Sequence, residues 1–243
     1  EITMIGQYAE NVYFKKPCGL MDQTASAVGN LVTIDFFDKQ NPVIEPVDFD
    51  FASCGHALVI VDSGADHADL TDEYAAITNE LKSVCAYFGK DVLTQIDEAE
   101  FYQNLAELRK VCGDRAVLRS MHFYAENARV VKQVEALRNG DFDAFLKLIC
   151  ESGHSSYMYL QNVIPSGYTA HQDVAVALGL CAHALNGRGA YRVHGGGFAG
   201  TVQAFVPYDL LEQFVKTLDG VLGQGACHVL NIRPHGGVEA FTE

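Results

Sequence analysis

The chain has 243 residues, 49% hydrophobic and 20% charged, an ordinary composition for a globular fold with a sizeable core in one large or two small domains. Seventeen basic residues against 31 acidic ones give a formal charge of −14 at pH 7, which argues against a nucleic-acid partner or an anionic membrane surface, since both would be repelled. No apolar run approaches the roughly 20 residues needed to cross a bilayer.

Seven cysteines, at positions 18, 54, 85, 112, 150, 181 and 227, are odd in number and scattered. That pattern fits neither a disulfide framework nor a zinc cluster and points to a reducing cytoplasm. Cys85, Cys112, Cys150 and Cys181 fall in apolar-periodic stretches, where small buried thiols are expected.

In chain order, residues 1–14 read as the end of a helix that Lys15-Lys16-Pro17 breaks. A short helix then runs to about Val28 with Asp22 in its first turn, beside unpaired backbone N–H groups and the positive helix end. Residues 31–37, 43–47 and 57–62 are β-branched or aromatic runs bounded by turn residues, and they read as strands of one sheet. Tyr74, Ile77, Leu81, Val84 and Phe88 then repeat at steps of three and four, the stripe of an amphipathic helix that Thr71 or Asp72 can cap. Phe101, Leu105, Leu108 and Val111 mark a second helix ending near Gly113. A third runs over 122–138, stopped by Asn139-Gly140, and Asp141 is placed to cap a short fourth carrying Phe142, Phe145, Leu146 and Ile149. Residues 172–185 form a further helix. The final third reads strand (191–194), glycine turn, strand (201–206), helix (209–222), strand (227–233). That order predicts an α+β sandwich with helices on one face, and residues 234–243 can return as an edge strand to the first sheet.

Two features carry chemistry. Asp22 can accept a proton or orient a hydroxyl, or it can simply stabilise its own helix. The loop Gly195-Gly196-Gly197-Phe198-Ala199-Gly200 can be a tight hairpin turn, yet three consecutive glycines cost roughly 0.5–1 kcal/mol each relative to Ala, and a simple turn needs one or two. A strand rather than a helix follows it, so it is not a dinucleotide fingerprint. Gly19 serves either its turn or a close ligand approach. Tyr74 is a packed core tyrosine whose hydroxyl can still reach a pocket. Of nine histidines only His67 and His194 fall near these features, and a structural or surface role is the plainer reading of both. The sequence carries no metal-ligand cluster and no nucleophile elbow.

Pro17-Cys18-Gly19-Leu20-Met21-Asp22-Gln23, the preceding Ile5-Gly6-Gln7-Tyr8-Ala9-Glu10-Asn11, Asp62-Ser63-Gly64, Tyr74, residues 121–131 and Arg192-Val193-His194-Gly195-Gly196-Gly197-Phe198-Ala199-Gly200-Thr201 occur in the order of the GHMP sugar-kinase superfamily. Together they resemble its galactokinases most. The resemblance implies the remnant of a mixed α/β N-terminal domain over 1–66 and a ferredoxin-like C-terminal kinase domain over 67–243. It implies phosphorylation of the anomeric hydroxyl of α-D-galactose with ATP and Mg²⁺, Asp22 as base, Gly19, Asp22 and Tyr74 against the sugar, and Gly195, Gly196, Gly197 and Gly200 in a loop packed under the site. A kinase for N-acetylgalactosamine or arabinose, or a non-catalytic galactose sensor, are the alternatives.

Departures accompany the match. Ala199 stands where many relatives have glycine. The family's Glu-His-Thr-Asp signature, its glycine- and serine-rich phosphate loop and the arginine paired with the acid are not in this sequence. The resemblance therefore implies a C-terminal portion with no complete site for ATP and Mg²⁺, an unsupported Asp22, and no kinase activity by itself. The 31–37 strand is expected to lack partners and to favour self-association.

Overall fold

In the computed structural model, which describes residues 1–15, 18–38, 41–65 and 70–238, the chain forms an α+β fold around a four-stranded antiparallel sheet. Helix α1 (Ile2–Tyr8) continues as a π-helical turn (Ala9–Tyr13), and α2 (Met21–Val28) follows. Strands β1 (Leu31–Asp35) and β2 (Val43–Val47) make an antiparallel hairpin with Leu31 opposite Val47 and Asp35 opposite Val43. The strand expected over 31–37 thus has a partner, in a two-stranded sheet.

The third expected strand does not join that hairpin. β3 (His56–Asp62) pairs with β5 (Thr201–Pro207) on one side and β6 (Cys227–Leu230) on the other, and β4 (Ala190–Val193) adds beyond β5. Periodicity identifies a strand but not its sheet, which long-range pairing decides. The expected boundary near residue 66 lies outside the described residues, and β3 before it pairs entirely with strands that follow it.

The helices are α3 (Thr71–Tyr87), α4 (Glu98–Gln103), α5 (Leu105–Val111), α6 (Asp114–Arg138), α7 (Phe142–Ser155), α8 (Asp173–Leu185) and α9 (Leu211–Leu222). The helix foreseen around Phe101–Val111 is two, broken at Asn104, whose side-chain amide donates to the Glu100 carbonyl at 2.8 Å. Helix α6 begins eight residues earlier than its apolar stripe indicates, because Arg115 and Arg119 interrupt that stripe. Asp141 does cap α7, accepting the Ala144 N–H at 3.0 Å, whereas neither Thr71 nor Asp72 caps α3, whose N-cap is Leu70.

Chain order strand–helices–strand–strand–helix–strand with spatial order β4-β5-β3-β6 is a ferredoxin-like arrangement. One face of the sheet (Val59, Val61, Val193, Val202, Ala204, Val206) packs on Val174, Ala177, Cys181 and Leu185 of α8 and Phe214 and Leu218 of α9. The other face packs Ala190 and Phe205 on Phe145, Leu146 and Ile149 of α7 with Phe51 and Leu137. Helices therefore cover both faces, a correction to the one-faced sandwich. A separate core joins α3 to α6 around Phe101, Leu108, Val117 and Tyr124. After β6 the chain returns to the N-terminal segment as loop: Asn30 N–H donates to Arg233 O (2.8 Å), and Gly236 and Gly237 N–H donate to Val28 and Ala27 carbonyls (3.1 and 3.0 Å). This joins the end of α2 instead of adding a strand edge, and residues 239–243 lie outside the described residues.

Candidate functional site

The turn that presents Asp22 is held by the helix before it. Gln7 Nε2 and Asn11 Nδ2 donate to the Cys18 carbonyl at 3.3 and 3.2 Å, and Asn11 Oδ1 accepts the Cys18 N–H at 2.6 Å. Asn11 thus grips both polar groups of one residue, fixing the entry into α2 without a side-chain cap. Gln23 Nε2 reaches back to Cys18 Sγ at 3.2 Å, and Thr24 is fully buried. Asp22 stands exposed in the first turn. A Cβ on Gly19 would meet nothing within 4 Å, so packing among the described residues does not demand glycine there. The helix break at Pro17 and His67 both lie outside the described residues.

The glycine loop connects β4 to β5, and it is crowded. Gly197 has φ +78°, and a Cβ there would run into the Asn162 carbonyl; a Cβ on Gly196 would lie 2.8 Å from the Tyr74 ring. Gly196 and Gly197 are thus a matter of space, whereas Gly195, at φ +66° with open room around it, serves the turn. Phe198 adopts φ +60°, a left-handed conformation that costs a bulky residue roughly 1–2 kcal/mol. Its surroundings offset that cost. Its ring is buried and meets Tyr74 edge-on at 5.4 Å, beside Leu70 and Ala199, and its N–H donates to Asn162 O at 2.5 Å. Tyr74 Oη donates to Gly197 O at 2.7 Å, Asn162 Nδ2 to Gly196 O at 3.0 Å, and Ser63 donates to Gly200 O from Oγ (2.6 Å) and N–H (2.9 Å). Burial raises the Tyr74 pKa above its ordinary value. Its hydroxyl proton is committed to the loop.

His194 links acid and loop. It immediately precedes Gly195, and its Nδ1 pairs with Thr201 Oγ1 at 3.0 Å across the loop's base. Partial burial and then the Arg192 guanidinium lower its pKa, while the Asp22 carboxylate pulls the other way; the net direction is down. Asp22 is therefore within electrostatic reach of the residue that opens the loop.

Arg192 belongs to a charged cluster on the α7 side of the sheet. Its Nη1 donates to Ser152 Oγ at 2.6 Å, Ser152 donates to Glu126 at 2.5 Å, and Arg129 is ion-paired with Glu126. His122 Nδ1 meets Ser155 Oγ at 2.9 Å, and burial, followed by the Arg192 and Arg129 cations, brings its pKa to about 4.

Of the site residues read from sequence, Tyr74, Gly196 and Gly197 are in direct contact, Gly200 is fixed by Ser63, and Gly195 adjoins His194. Asp22 joins them through charge, and Gly19 shares its turn. Sequence reading missed Asn162, and it marked the stretch holding Gln7 and Asn11 without foreseeing their grip on Cys18; the partners of these three lie 7 to 34 positions away. Among the described residues no three His, Cys, Asp or Glu side chains form a metal-binding group.

No known family profile matches the chain. It is 30% identical over 218 residues to galactokinases of Glaesserella parasuis serovar 5 and Actinobacillus pleuropneumoniae serotype 3, covering 90% of this chain and 54% of each relative. It thus spans about half the length of the curated relatives it matches. Among solved structures, Lactococcus lactis galactokinase complexed with galactose superposes with a TM-score of 0.71 at 23% identity, covering 96% of this chain and 59% of the other. Mevalonate kinase of L. major in complex with R-mevalonate gives 0.60 at 15%, covering 97% and 58%. Every one of these relatives is a kinase by name, and the chain has the fold of the covered part of the two solved structures.

Proposed function

We propose that this chain, a relative of the galactokinases along nine-tenths of its length, carries the sugar-facing acid and the glycine loop of a galactose 1-kinase. The reading is carried by the geometry of the glycine loop, which Tyr74, Asn162 and Ser63 hold in place by hydrogen bonds to Gly197, Gly196 and Gly200; the pull of the Asp22 carboxylate on His194 at its mouth is consistent with it. In the reaction, Asp22 takes the proton of the anomeric hydroxyl, whose oxygen attacks the γ-phosphorus of ATP and releases ADP. Phosphoryl transfer asks mainly for positioning and charge stabilisation, and a preset loop serves the first. Gly19 and Tyr74 contact the sugar. The whole enzyme uses ATP with Mg²⁺ in the cytoplasm. We set the boundary between its two units within residues 48–55, supported by the pairing of β3 with later strands.

Galactose is favoured as the sugar because the galactokinase neighbour is complexed with it. Saturation-transfer NMR on the 243-residue chain tests this reading. We expect galactose to bind in preference to glucose and Asp22→Ala to weaken galactose binding; equal binding of both sugars, or none, would refute it. Competition by N-acetylgalactosamine or arabinose decides among related sugars. Since the chain's sequence lacks the family's phosphate loop, we expect no turnover of ATP and galactose by it alone, and steady ADP release would contradict this.

The N-terminal segment also supports self-association. Ile5, Tyr13, Phe14 and Phe37 are exposed over more than 60% of their surface, an apolar area that water alone covers poorly.

A further inference from the structure

We infer that Arg119 and Asn162 are positioning residues of the glycine loop, the two ends of a support that runs from the helical layer through residues 160–162 to Gly196 and Phe198. The consequence for ligand binding rests on the reading of the loop as sugar-facing; the support itself does not.

Arg119, on α6, is 1% exposed. A guanidinium taken out of water is costly unless paired and hydrogen-bonded, and such pairs serve geometry better than they serve stability. Arg119 Nη1 donates to Glu80 Oε2 of α3 at 2.8 Å, and its Nε donates to the Leu160 carbonyl at 3.0 Å. Glu80 Oε1 takes Arg115 at 2.6 Å, and Arg115 Nη1 reaches Ser166 Oγ at 3.1 Å. Glu73 Oε1 accepts the Ser166 N–H at 2.7 Å. Residues 160–166 are therefore clamped at both ends onto α3 and α6.

Inside the clamp the chain turns through a left-handed Gln161, φ +56°, and delivers Asn162, 2% exposed, against the loop. Asn162 works through two groups at once: its carbonyl takes the Phe198 N–H and its amide donates to Gly196 O. A left-handed Phe198 persists only where neighbours over-determine it. Asn162 supplies the neighbour on the β4 side of the loop, as Ser63 does at Gly200. Asn162 Oδ1 and Arg119 Nη2 have no hydrogen-bond partner among the described residues, a penalty consistent with side chains held for position.

Amide hydrogen exchange on the 243-residue chain tests the support, with galactose titration as a second readout. In Asn162→Ala and in Arg119→Lys, which keeps the charge beside Glu80 but gives up the Leu160 bond, exchange at residues 195–200 is expected to rise about tenfold or more. Amides of β3 and β5 should stay within about twofold of the parent. Should Asn162→Ala fail to fold, Arg119→Lys decides by the same readout, and Glu80→Gln if that also fails. An unchanged loop, or a rise shared equally by β3 and β5, overturns the support whatever galactose does. A loop-specific rise with unaltered galactose binding upholds the support and sinks the sugar-facing reading instead. A loop-specific rise with about tenfold weaker galactose binding upholds both.

Discussion

Residues 1–47 and the sheet-bearing body from β3 to β6 place their apolar side chains in opposite ways. Helix α1 buries none of its residues, and Ile5, Tyr13 and Phe37 are 63%, 78% and 80% exposed. In the body, Val59, Val61, Val202 and Leu218 are at 0%. Apolar content alone does not make a core; an amphipathic stripe needs a second surface to lie against. The body supplies its own surfaces on both faces of its sheet, whereas the first segment is held mainly by α1 on α2, the β1–β2 pairing and the returning loop at residues 233–237. The proposed site spans the two, with its acid on the loosely packed segment and its glycine loop on the dense one.

Substitutions in the two regions should separate accordingly. Phe214→Ala empties a fully buried position and is expected to cost about 3–5 kcal/mol in urea unfolding, while Ile5→Ala should stay within about 0.5 kcal/mol. Comparable costs at both positions would break the contrast. Within the site, Gly197→Ala forces a Cβ against the Asn162 carbonyl at a left-handed φ, for an expected loss of about 2–4 kcal/mol. Gly19→Ala should leave stability within about 0.5 kcal/mol and affect only ligand binding.

A pH titration sharpens the contrast on the body's side. His122 binds its proton with a pKa of about 4 when folded, against 6.5 unfolded, so the unfolded chain takes up the proton first as pH falls. Its contribution is present above pH 6.5 and is lost progressively down to about pH 4. With partial solvent screening the loss is of order 2 kcal/mol, and His122→Gln should flatten the stability profile in that window. A profile equally steep in the variant would contradict the assignment. Smallest in stability, though visible in association, is the exposed face. Ile5→Asp with Tyr13→Asp should reduce self-association in sedimentation velocity without shifting the urea midpoint, and a chain already monomeric at high concentration would remove the premise.

Much of this architecture was legible from local pattern. The final strand, glycine turn, strand, helix and strand follow periodicity and turn residues, and Asp141 caps the helix its position foretold. What escaped were features decided by distant partners. β3 reads as a strand, but its place between β5 and β6 depends on residues some 140 to 170 positions onward. The start of α6 was hidden because Arg119, a charged residue by composition, is buried against Glu80. Asn162 carries no mark in its own neighbourhood, since its meaning lies in carbonyl and amide contacts with Gly196 and Phe198. The glycines were noticed for their conformational cost, yet their packing against Tyr74 and Asn162 required the fold.

The claim beneath all of this is that Asp22 and the glycine loop face one another, and the titration of His194 reads it directly. Following the His194 ring protons by NMR in the parent chain and in Asp22→Asn, the midpoint should move to lower pH once the carboxylate that raises it is gone. An identical His194 titration in the two proteins would place the acid out of reach of the loop and contradict the account.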